Sequence, residues 1–404
     1  MQRGVRLKTM AMLAALATLG LLATWAPAAG PTGGTGRTGG SDAGLKQYAS
    51  KYYVIYSDLD VDEVREAAVR MTAMVDEYHQ RTANFAGTIR QRLPFYLYRH
   101  KEDYEAAGGL PGSAGCYIGT KLLALAGPQT TGVTWHVVQH EGFHQFTAQV
   151  IGGEFPMWIN EGLAEYFGYG VFTGDGFVTG VIPDRLRRDV VALIRDHKAK
   201  PFATLMQMSR QQWNEAMDFD LYVQSWSMVH FLAHAEGGRY QQPFDAFLRV
   251  VGKGGDWQVA WKNCFKNDVN GPDNTFQRHW SQWWLDLPDN PTAPLYQQAT
   301  VATITSFFAR AYSQNQPMKT MDDFFKLADE KNLKCNGADW LPPALLVTSL
   351  DRAKAMGTWS LMPDAGRPWK VRCQLPDKTA IIGQFTLKGD RVEHVAVTSQ
   401  PAGK

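Results

Sequence analysis

The amino-acid sequence predicts an α+β fold in which a small mixed sheet and a set of helices are followed by a C-terminal antiparallel β unit. Three observations support this class. Strand-like segments alternate with a helical pattern in the N-terminal third, the pattern is then mainly helical to about Leu287, and short alternating polar and apolar runs follow Gly357. With 404 residues, of which 45% are hydrophobic, the chain can form the cores of two or three domains.

The N-terminal residues are typical of an export signal. Arg3, Arg6 and Lys8 precede an uncharged run rich in Ala and Leu, and the small residues that end the segment suit a signal peptidase. We therefore expect residues 1–28 to be removed and the chain to be periplasmic or secreted, without stable membrane insertion after cleavage. The alternative is an uncleaved anchor, although the apolar run is at the short end for a span of ~20 residues. The Gly-, Thr- and Ser-rich residues 29–46 predict a flexible linker.

The charge balance of the exported chain argues against nucleic acid as a partner. Residues 1–28 hold three of the 41 basic residues, which leaves 38 basic residues against 39 acidic ones. No run of Lys or Arg stands out in this remainder, whereas nucleic-acid-binding proteins present a basic patch.

Four cysteines remain in the exported chain. An even number is typical of disulfides in exported proteins, and pairing within domains would join Cys116 to Cys264 and Cys335 to Cys373. Free buried thiols are the alternative, and the sequence leaves both open. A cysteine-rich zinc site is not expected, because no two cysteines lie close in sequence.

The elements of the N-terminal part follow in order. Tyr52–Tyr56 and Leu93–Tyr98 are predicted strands, and an acid-rich start predicts a helix over residues 58–85. A glycine-rich loop, Ala106–Gly115, precedes a third predicted strand at Cys116–Ala126, which we expect near the sheet edge.

Two helices with a short connection come next, at Thr134–Ile151 and Pro156–Phe167. Two adjacent glycines end the first of them. A turn sequence after the long helical stretch marks a break in the chain. We therefore predict one domain over residues 47–290 and an accessory region over residues 291–404.

The accessory region combines helices and strands. Helices are predicted at Ala302–Tyr312 and Thr320–Lys331. Four short alternating segments follow, separated by turn residues, which is the pattern of a small antiparallel sheet. The segments are Thr358–Leu361, Trp369–Gln374, Ala380–Leu387 and Val392–Thr398.

Residues 140–144 form an H-E-x-x-H pattern on the first of the paired helices. Residues four apart lie on one helix face with Cβ atoms about 5–6 Å apart, so His140 and His144 can bind one Zn²⁺ ion. Glu141 lies beside them and is placed to take a proton from a zinc-bound water. The alternative is a partly exposed helix with scattered His, and the acids of the next helix argue against it.

That next helix carries two acids at the same spacing. Glu161 and Glu165 lie four apart on one face, where like charges repel unless a cation or His residues offset them. Residues 152–155 form a short connection, which packs the two helices antiparallel, so Glu161 can meet the His pair.

H-E-x-x-H followed by N-E-G-L-A-E on the next helix resembles the gluzincin clan of zinc metallopeptidases, which includes thermolysin and the zinc aminopeptidases. The second helix is most similar to exported bacterial peptidase-MA-like proteins of unknown function. The resemblance implies a thermolysin-like core in which His140, His144 and Glu161 bind zinc. It also implies Glu141 as the general base and Glu165 as an acid that orients His140.

Other parts of the sequence match the clan less well. Sixteen residues separate His144 from Glu161, fewer than in thermolysin or the aminopeptidases, so the substrate class does not transfer. His136, one turn before His140, lies outside the family pattern. Tyr222 opens a segment that resembles the Y-x-K-G segment of the aminopeptidases, although Gln and Ser replace Lys and Gly. It is the candidate oxyanion donor, with core packing as the alternative.

The predicted function is hydrolysis of peptide bonds in a peptide or protein substrate by an exported zinc-dependent metallopeptidase. The G-x-M-E-N segment that anchors a free amine in aminopeptidases is absent, because no Met occurs between residues 74 and 157, so an endopeptidase is favoured. Two alternatives remain open: a cell-envelope binding protein on a peptidase scaffold, whose C-terminal β unit and tryptophans 280, 283 and 284 hold a glycan or protein, and a zinc amidase acting on a non-protein amide. Core packing is the favoured interpretation of these tryptophans. The presence of Glu141 favours an enzyme.

Overall fold

The computed structural model describes residues 44–126, 132–216, 218–267, 275–364 and 367–401. These residues show the predicted mixed α+β class, with a helical part and a four-stranded antiparallel sheet near the C-terminus. The predicted signal at 1–28 and most of the predicted linker lie outside the described residues.

The described residues form two compact units. The first contains residues 44–64, 78–169 and 183–289, and the second contains residues 65–77, 170–182 and the chain from 290 onward. Segments 65–77 and 170–182 lie inside the range 47–290 that the sequence assigned to one domain, so the chain does not divide at one point.

The first unit contains a mixed sheet of five strands: β1 (Lys46–Ala49), β2 (Tyr53–Ser57), β3 (Leu93–Tyr98), β4 (Gly115–Ile118) and β5 (Lys121–Leu125). The order is β1-β2-β3-β5-β4. The central strands β2, β3 and β5 are parallel, and β1 and β4 run antiparallel at the two edges. Tyr53, Ile55, Phe95 and Leu122 are fully buried, which explains why the central strands are apolar along their length.

The predicted strand Cys116–Ala126 is instead a hairpin of two strands, β4 and β5. The chain reverses near Gly119, whose φ of 61° lies in the left-handed region that favours glycine. The predicted edge position is confirmed for β4, whereas β5 pairs with β3 on its other side.

Helix α1 (Val61–Thr82) begins after Asp60, which forms a reciprocal cap with Glu63.

Within the described ranges, every helix is too short or too polar to cross a membrane. The helices that lie wholly in the first unit are α2 (Lys101–Ala106), α3 (Gly132–Val150), α4 (Met157–Gly168), α5 (Asp184–Arg195), α6 (Phe202–Met206), α7 (Arg210–Ala216), α8 (Phe219–Gly238), α9 (Gln241–Val251), α10 (Trp257–Phe265) and α11 (Thr275–Asp286).

The tryptophans of α11 belong to the core of the first unit. Trp280 and Trp284 are fully buried. Their indole N–H groups donate to Ser227 on α8, to Oγ at 3.1 Å and to the carbonyl oxygen at 3.2 Å, respectively. Trp283 is partly buried and packs edge-on against Trp284. This cluster therefore anchors two helices to each other and does not form an exposed surface for a glycan.

The second unit contains β6 (Val171–Phe172), β7 (Phe177–Val178), α12 (Ala293–Ser313), α13 (Met321–Asp329), α14 (Pro343–Met356), β8 (Thr358–Asp364), β9 (Arg367–Gln374), β10 (Ala380–Lys388) and β11 (Arg391–Gln400). The predicted C-terminal sheet is confirmed, with antiparallel order β11-β10-β9-β8. Helix α12 packs on it through Ile304 and Phe308, which join Val371 and Phe385 in one apolar cluster.

Two helices of the second unit differ from prediction. Helix α12 begins at Ala293, nine residues before the predicted start at Ala302. Helix α14, which begins at Pro343, has no predicted counterpart. Proline is tolerated in the first turn of a helix, where its missing N–H is not needed, and both helices have proline there.

The four cysteines are free, so the pairings Cys116–Cys264 and Cys335–Cys373 are wrong. Cys116 is buried in β4, where its Sγ accepts a hydrogen bond of 3.4 Å from the Tyr104 hydroxyl. Cys373 is fully buried in β9, whereas Cys335 is exposed. Cysteine packs well as a small apolar residue, so burial alone accounts for two of the four.

Candidate metal centre

Three side chains from two neighbouring helices meet at one point in the first unit. His140 and His144 lie on α3, and Glu161 lies on α4. Nε2 of His140 is 3.1 Å from Nε2 of His144. Oε2 of Glu161 lies 3.3 Å from the first of these nitrogens and 3.4 Å from the second. His140 and Glu161 are buried, and His144 is partly buried, so the three donor atoms form a small, largely enclosed triangle.

A second acid lies behind this His–Glu triangle. Oε1 of Glu165 is 3.2 Å from Nδ1 of His140, and Oε2 of Glu165 is 3.2 Å from Nε2 of His136. The contacts run in the order His144, Glu161, His140, Glu165, His136. In this order the residue numbers fall along α3 and rise along α4, so the two helices pack antiparallel. The short connection between the helices led to the same expectation.

That connection is tight because of a glycine. The N–H of Gly153 donates to the carbonyl oxygen of Gly252 at 2.9 Å. A Cβ added to Gly153 would lie 2.5 Å from the backbone nitrogen of Gly254. Only glycine therefore fits where the α3–α4 connection passes the turn after α9.

The buried groups favour a positive charge between them. Burial lowers the pKa of His140, but Glu161 and Glu165 outweigh this effect and hold that pKa well above its usual value. Burial raises the pKa of Glu161, but His144 and His140 reverse the shift and hold the pKa far below its usual value. Burial also raises the pKa of Glu165, yet His136 and His140 lower it to about 2. A bound cation would occupy an environment that already stabilises positive charge.

Glu141 lies beside the triangle with a different partner. Its Oε2 accepts a hydrogen bond of 3.0 Å from the backbone N–H of Tyr117 on the edge strand β4. Burial raises the pKa of Glu141, and His140 and His144 offset this only in part. A carboxylate with a raised pKa is better suited to accept a proton than an exposed one.

Tyr222 lies on α8, which crosses α4 at close range. A Cβ added to Gly162 would lie 2.6 Å from the carbonyl oxygen of Ser225, so this glycine lets the two helix backbones approach. The ring of Tyr222 packs edge-on against Trp213 with centroids 5.4 Å apart. Burial and then the charge of Glu161 raise the pKa of the Tyr222 hydroxyl. Tyr222 thus lies close enough to Glu161, one corner of the triangle, to feel its charge.

The triangle opens into a cleft of about 540 Å³. Glu141 and Tyr222 both line it, as do Gly115, Cys116 and Tyr117 of β4. Helix α7 contributes Arg210, Trp213 and Asn214, which sequence reasoning missed because a seven-residue helix without a motif gives no signal. Among the described lining residues, Arg210 is the only Lys or Arg.

A comparison with known protein families covers the region that holds the three residues of the triangle. A family described as a protein of unknown function, DUF1570, matches residues 135–252. The chain is also similar to the "Uncharacterized protein YhcO" of Bacillus subtilis (strain 168), with 25% identity over 149 residues. That match covers 35% of this chain and 39% of the relative. The chain therefore spans well under half the length of the relative, and neither match names an activity.

Proposed function

We propose that this chain is a zinc-dependent peptidase in which His140, His144 and Glu161 hold the metal. The donor triangle carries the proposal. Four donors at about 2.0–2.1 Å from a tetrahedral zinc lie about 3.3–3.4 Å from one another, and the edges of the triangle measure 3.1, 3.3 and 3.4 Å. Two imidazoles and one carboxylate are also a donor set of catalytic zinc sites, which leave one position open.

The sequence pattern supports the same proposal at the level of the fold. H-E-x-x-H on α3 and N-E-G-L-A-E on α4 resemble the gluzincin metallopeptidases, in which the second helix supplies the third ligand. We take the mixed sheet with α3 and α4 as the thermolysin-like core that this resemblance implies. The predicted export signal at 1–28 would direct the activity to the periplasm or the exterior.

The neighbouring residues have separate roles in this proposal. When bound, zinc supplies a Lewis acid that lowers the pKa of water toward ~7 and polarises a carbonyl group. Glu141 accepts the proton of the attacking water and passes it to the leaving amine. The hydroxyl of Tyr222 donates to the carbonyl oxygen as it becomes negative. Glu165 holds the ring of His140 so that Nε2 faces the triangle.

An extended peptide is the substrate that the cleft fits best. Strand β4 is a sheet edge, and the N–H of Tyr117 bonds to Glu141 rather than to β5. An extended peptide can add to such an edge as a further strand. Ile151, Phe155 and Met157 contribute apolar surface to the same cleft, which favours a peptide with an apolar side chain near the cleaved bond. The missing amine-anchoring segment favours an internal bond over a terminal one.

Cleavage of a complex peptide mixture tests the proposal. The chain from residue 29 onward is loaded with Zn²⁺ and incubated with the mixture, with and without a chelator, and the products are identified by mass spectrometry. We expect cleavage at internal bonds that the chelator abolishes and added zinc restores. A chain that binds zinc but cleaves no peptide would contradict the peptidase, and hydrolysis of amide bonds in peptidoglycan, offered as a separate substrate, would then favour the amidase.

A further inference from the structure

His136 occupies a buried position that the proposed reaction does not use. Its side chain is 11% exposed and lies one turn before His140 on α3. Nε2 of His136 is 3.2 Å from Oε2 of Glu165. Among the described residues, Nδ1 of His136 has no hydrogen-bond partner. The ring therefore has one polar partner, and this partner is a carboxylate on α4.

The end of helix α4 is shaped around this ring. A Cβ added to Gly168 would lie 2.9 Å from Cε1 of His136, so glycine makes room for the imidazole. The next residue, Tyr169, covers the ring with centroids 4.1 Å apart. Together they leave the imidazole little freedom to turn Nε2 away from Glu165.

Glu165 needs a donor for each of its oxygens. It is 4% exposed, and a buried carboxylate without hydrogen-bond donors is strongly unfavourable. His136 brings Nε2 within 3.2 Å of one oxygen, and His140 brings Nδ1 within 3.2 Å of the other, although this second contact does not have hydrogen-bond geometry in the structure. If Nε2 of His140 gives its lone pair to a metal, the proton of the neutral ring must lie on Nδ1, which faces Glu165. The orientation of Glu165 therefore decides the tautomer and the direction of the His140 ring.

We infer that His136 is a positioning residue for the metal centre: its Nε2–H holds Glu165 against Nδ1 of His140, and this strengthens zinc binding by the His–Glu triangle. The inference rests on the proposed metal site but is independent of the substrate. His136, His140 and Glu165 could by distance alone hold a second ion, since their donor atoms lie within 4.8 Å of one another. A second ion at this place would bind Nδ1 of His140. It would displace the proton that Nδ1 carries when Nε2 of the neutral ring binds the first ion, so the geometry favours His136 as a hydrogen-bond donor to Glu165.

Zinc affinity of the full chain with His136→Phe or His136→Gln tests this role. Phe keeps a ring to pack on Tyr169 but has no donor, whereas Gln keeps an N–H donor of similar reach. Competition with a chromophoric chelator should show zinc binding about 10–100-fold weaker for His136→Phe, the range found for partners of metal ligands. The affinity of His136→Gln should lie closer to that of the unaltered chain. Should His136→Phe not fold, His136→Asn gives the same comparison, because its amide is too short to reach Glu165.

A matched control separates positioning from general damage to the fold. His234 also bonds to α4 through its imidazole, with Nε2 2.9 Å from the hydroxyl of Tyr166, but its side chain is exposed. His234→Phe should leave zinc affinity unchanged. Because His136 acts through Glu165, His136→Phe combined with Glu165→Gln should bind zinc no more weakly than Glu165→Gln alone.

Three results would overturn the inference: equal zinc affinity in His136→Phe and the unaltered chain, additive losses in the double variant, or two zinc ions bound per unaltered chain. An unaltered chain that binds no zinc at all would instead refute the metal centre on which the inference rests.

Discussion

At the scale of single residues, Glu141 can be separated from the metal ligands by one substitution. Glu141→Gln keeps the size of the side chain, and its carbonyl oxygen can still accept the bond from Tyr117 N–H. The amide cannot take a proton, so kcat should fall by about 10²–10⁴. Zinc content, measured by elemental analysis of the same preparation, should be unchanged. Turnover near the original rate would remove Glu141 from the role of general base.

Glu161 should behave in the opposite way. Its Oε2 is the charged corner of the triangle, and without it two neutral imidazoles remain, too few for a stable zinc site. Glu161→Ala should therefore lose bound zinc after dialysis, and activity with it. Glu154→Ala is the matched control, because Glu154 lines the same cleft but is exposed. This variant should keep the zinc content of the unaltered chain. Full zinc content in Glu161→Ala would exclude it as the third ligand.

Arg210 bears on the choice of substrate. It is exposed and lines the cleft, so an acidic residue in a bound peptide can pair with it. An exposed ion pair contributes up to about 1 kcal/mol, and Arg210→Glu should shift the preference from acidic toward basic peptides by about fivefold or less in kcat/KM. Arg195→Glu, an exposed change on α5 outside the cleft lining, should leave the preference as it was. An unchanged preference in Arg210→Glu would leave this arginine without a role in substrate choice.

The triangle was predictable from sequence because its geometry is local. His140 and His144 follow from helical spacing, and Glu161 follows from a short connection between two helices. Tyr117 and Arg210 reach the cleft through sheet pairing and helix packing between residues that are far apart in sequence. No short sequence pattern predicts such contacts. The roles of the ligands themselves stay predictions until metal is measured.

At the scale of elements, the close crossing of α4 and α8 depends on Gly162. Alanine inside a helix is normally more favourable than glycine by about 1 kcal/mol. At this position its Cβ would lie 2.6 Å from Ser225 O, so Gly162→Ala should force the helices apart and lower the free energy of unfolding by about 1–3 kcal/mol. Zinc affinity should fall as well, because Glu161 is the adjacent residue. Gly337→Ala, where a Cβ meets nothing within 4 Å, is the control, and equal effects in both variants would contradict the close-approach argument.

Elements with long patterns were predicted well and short ones were not. Strand β3 matches its predicted bounds, Leu93–Tyr98, because six apolar residues between polar ones leave little ambiguity. Strands β6 and β7 have two residues each, too few to show any period. Helix α14 begins at the second of two adjacent prolines, a sequence that indicates a break and a helix start equally well.

At the scale of the whole molecule, the division into two units follows contacts rather than chain order. The sequence showed the change near residue 290, where a turn-rich segment separates the helical stretch from the accessory region. It could not show that residues 65–77 and 170–182 belong to the second unit, because only tertiary packing connects them with the C-terminal part. Arg310 contributes to this packing within the second unit. Its guanidinium contacts both carboxylate oxygens of Asp175 at 2.8 Å and Oδ1 of Asp339 at 2.8 Å.

This network gives a prediction that distinguishes stability from metal binding. Arg310→Met leaves two largely buried acids without their cation, which should cost about 3–5 kcal/mol of stability and appear as a lower Tm. All residues that line the cleft belong to the first unit, so zinc affinity of the folded variant should be unchanged. Lys354→Met is the control, because Lys354 and its partner Asp329 are 46% and 49% exposed and such a pair contributes about 1 kcal/mol or less. Weaker zinc binding by folded Arg310→Met would mean that the second unit helps to form the metal centre, contrary to this expectation.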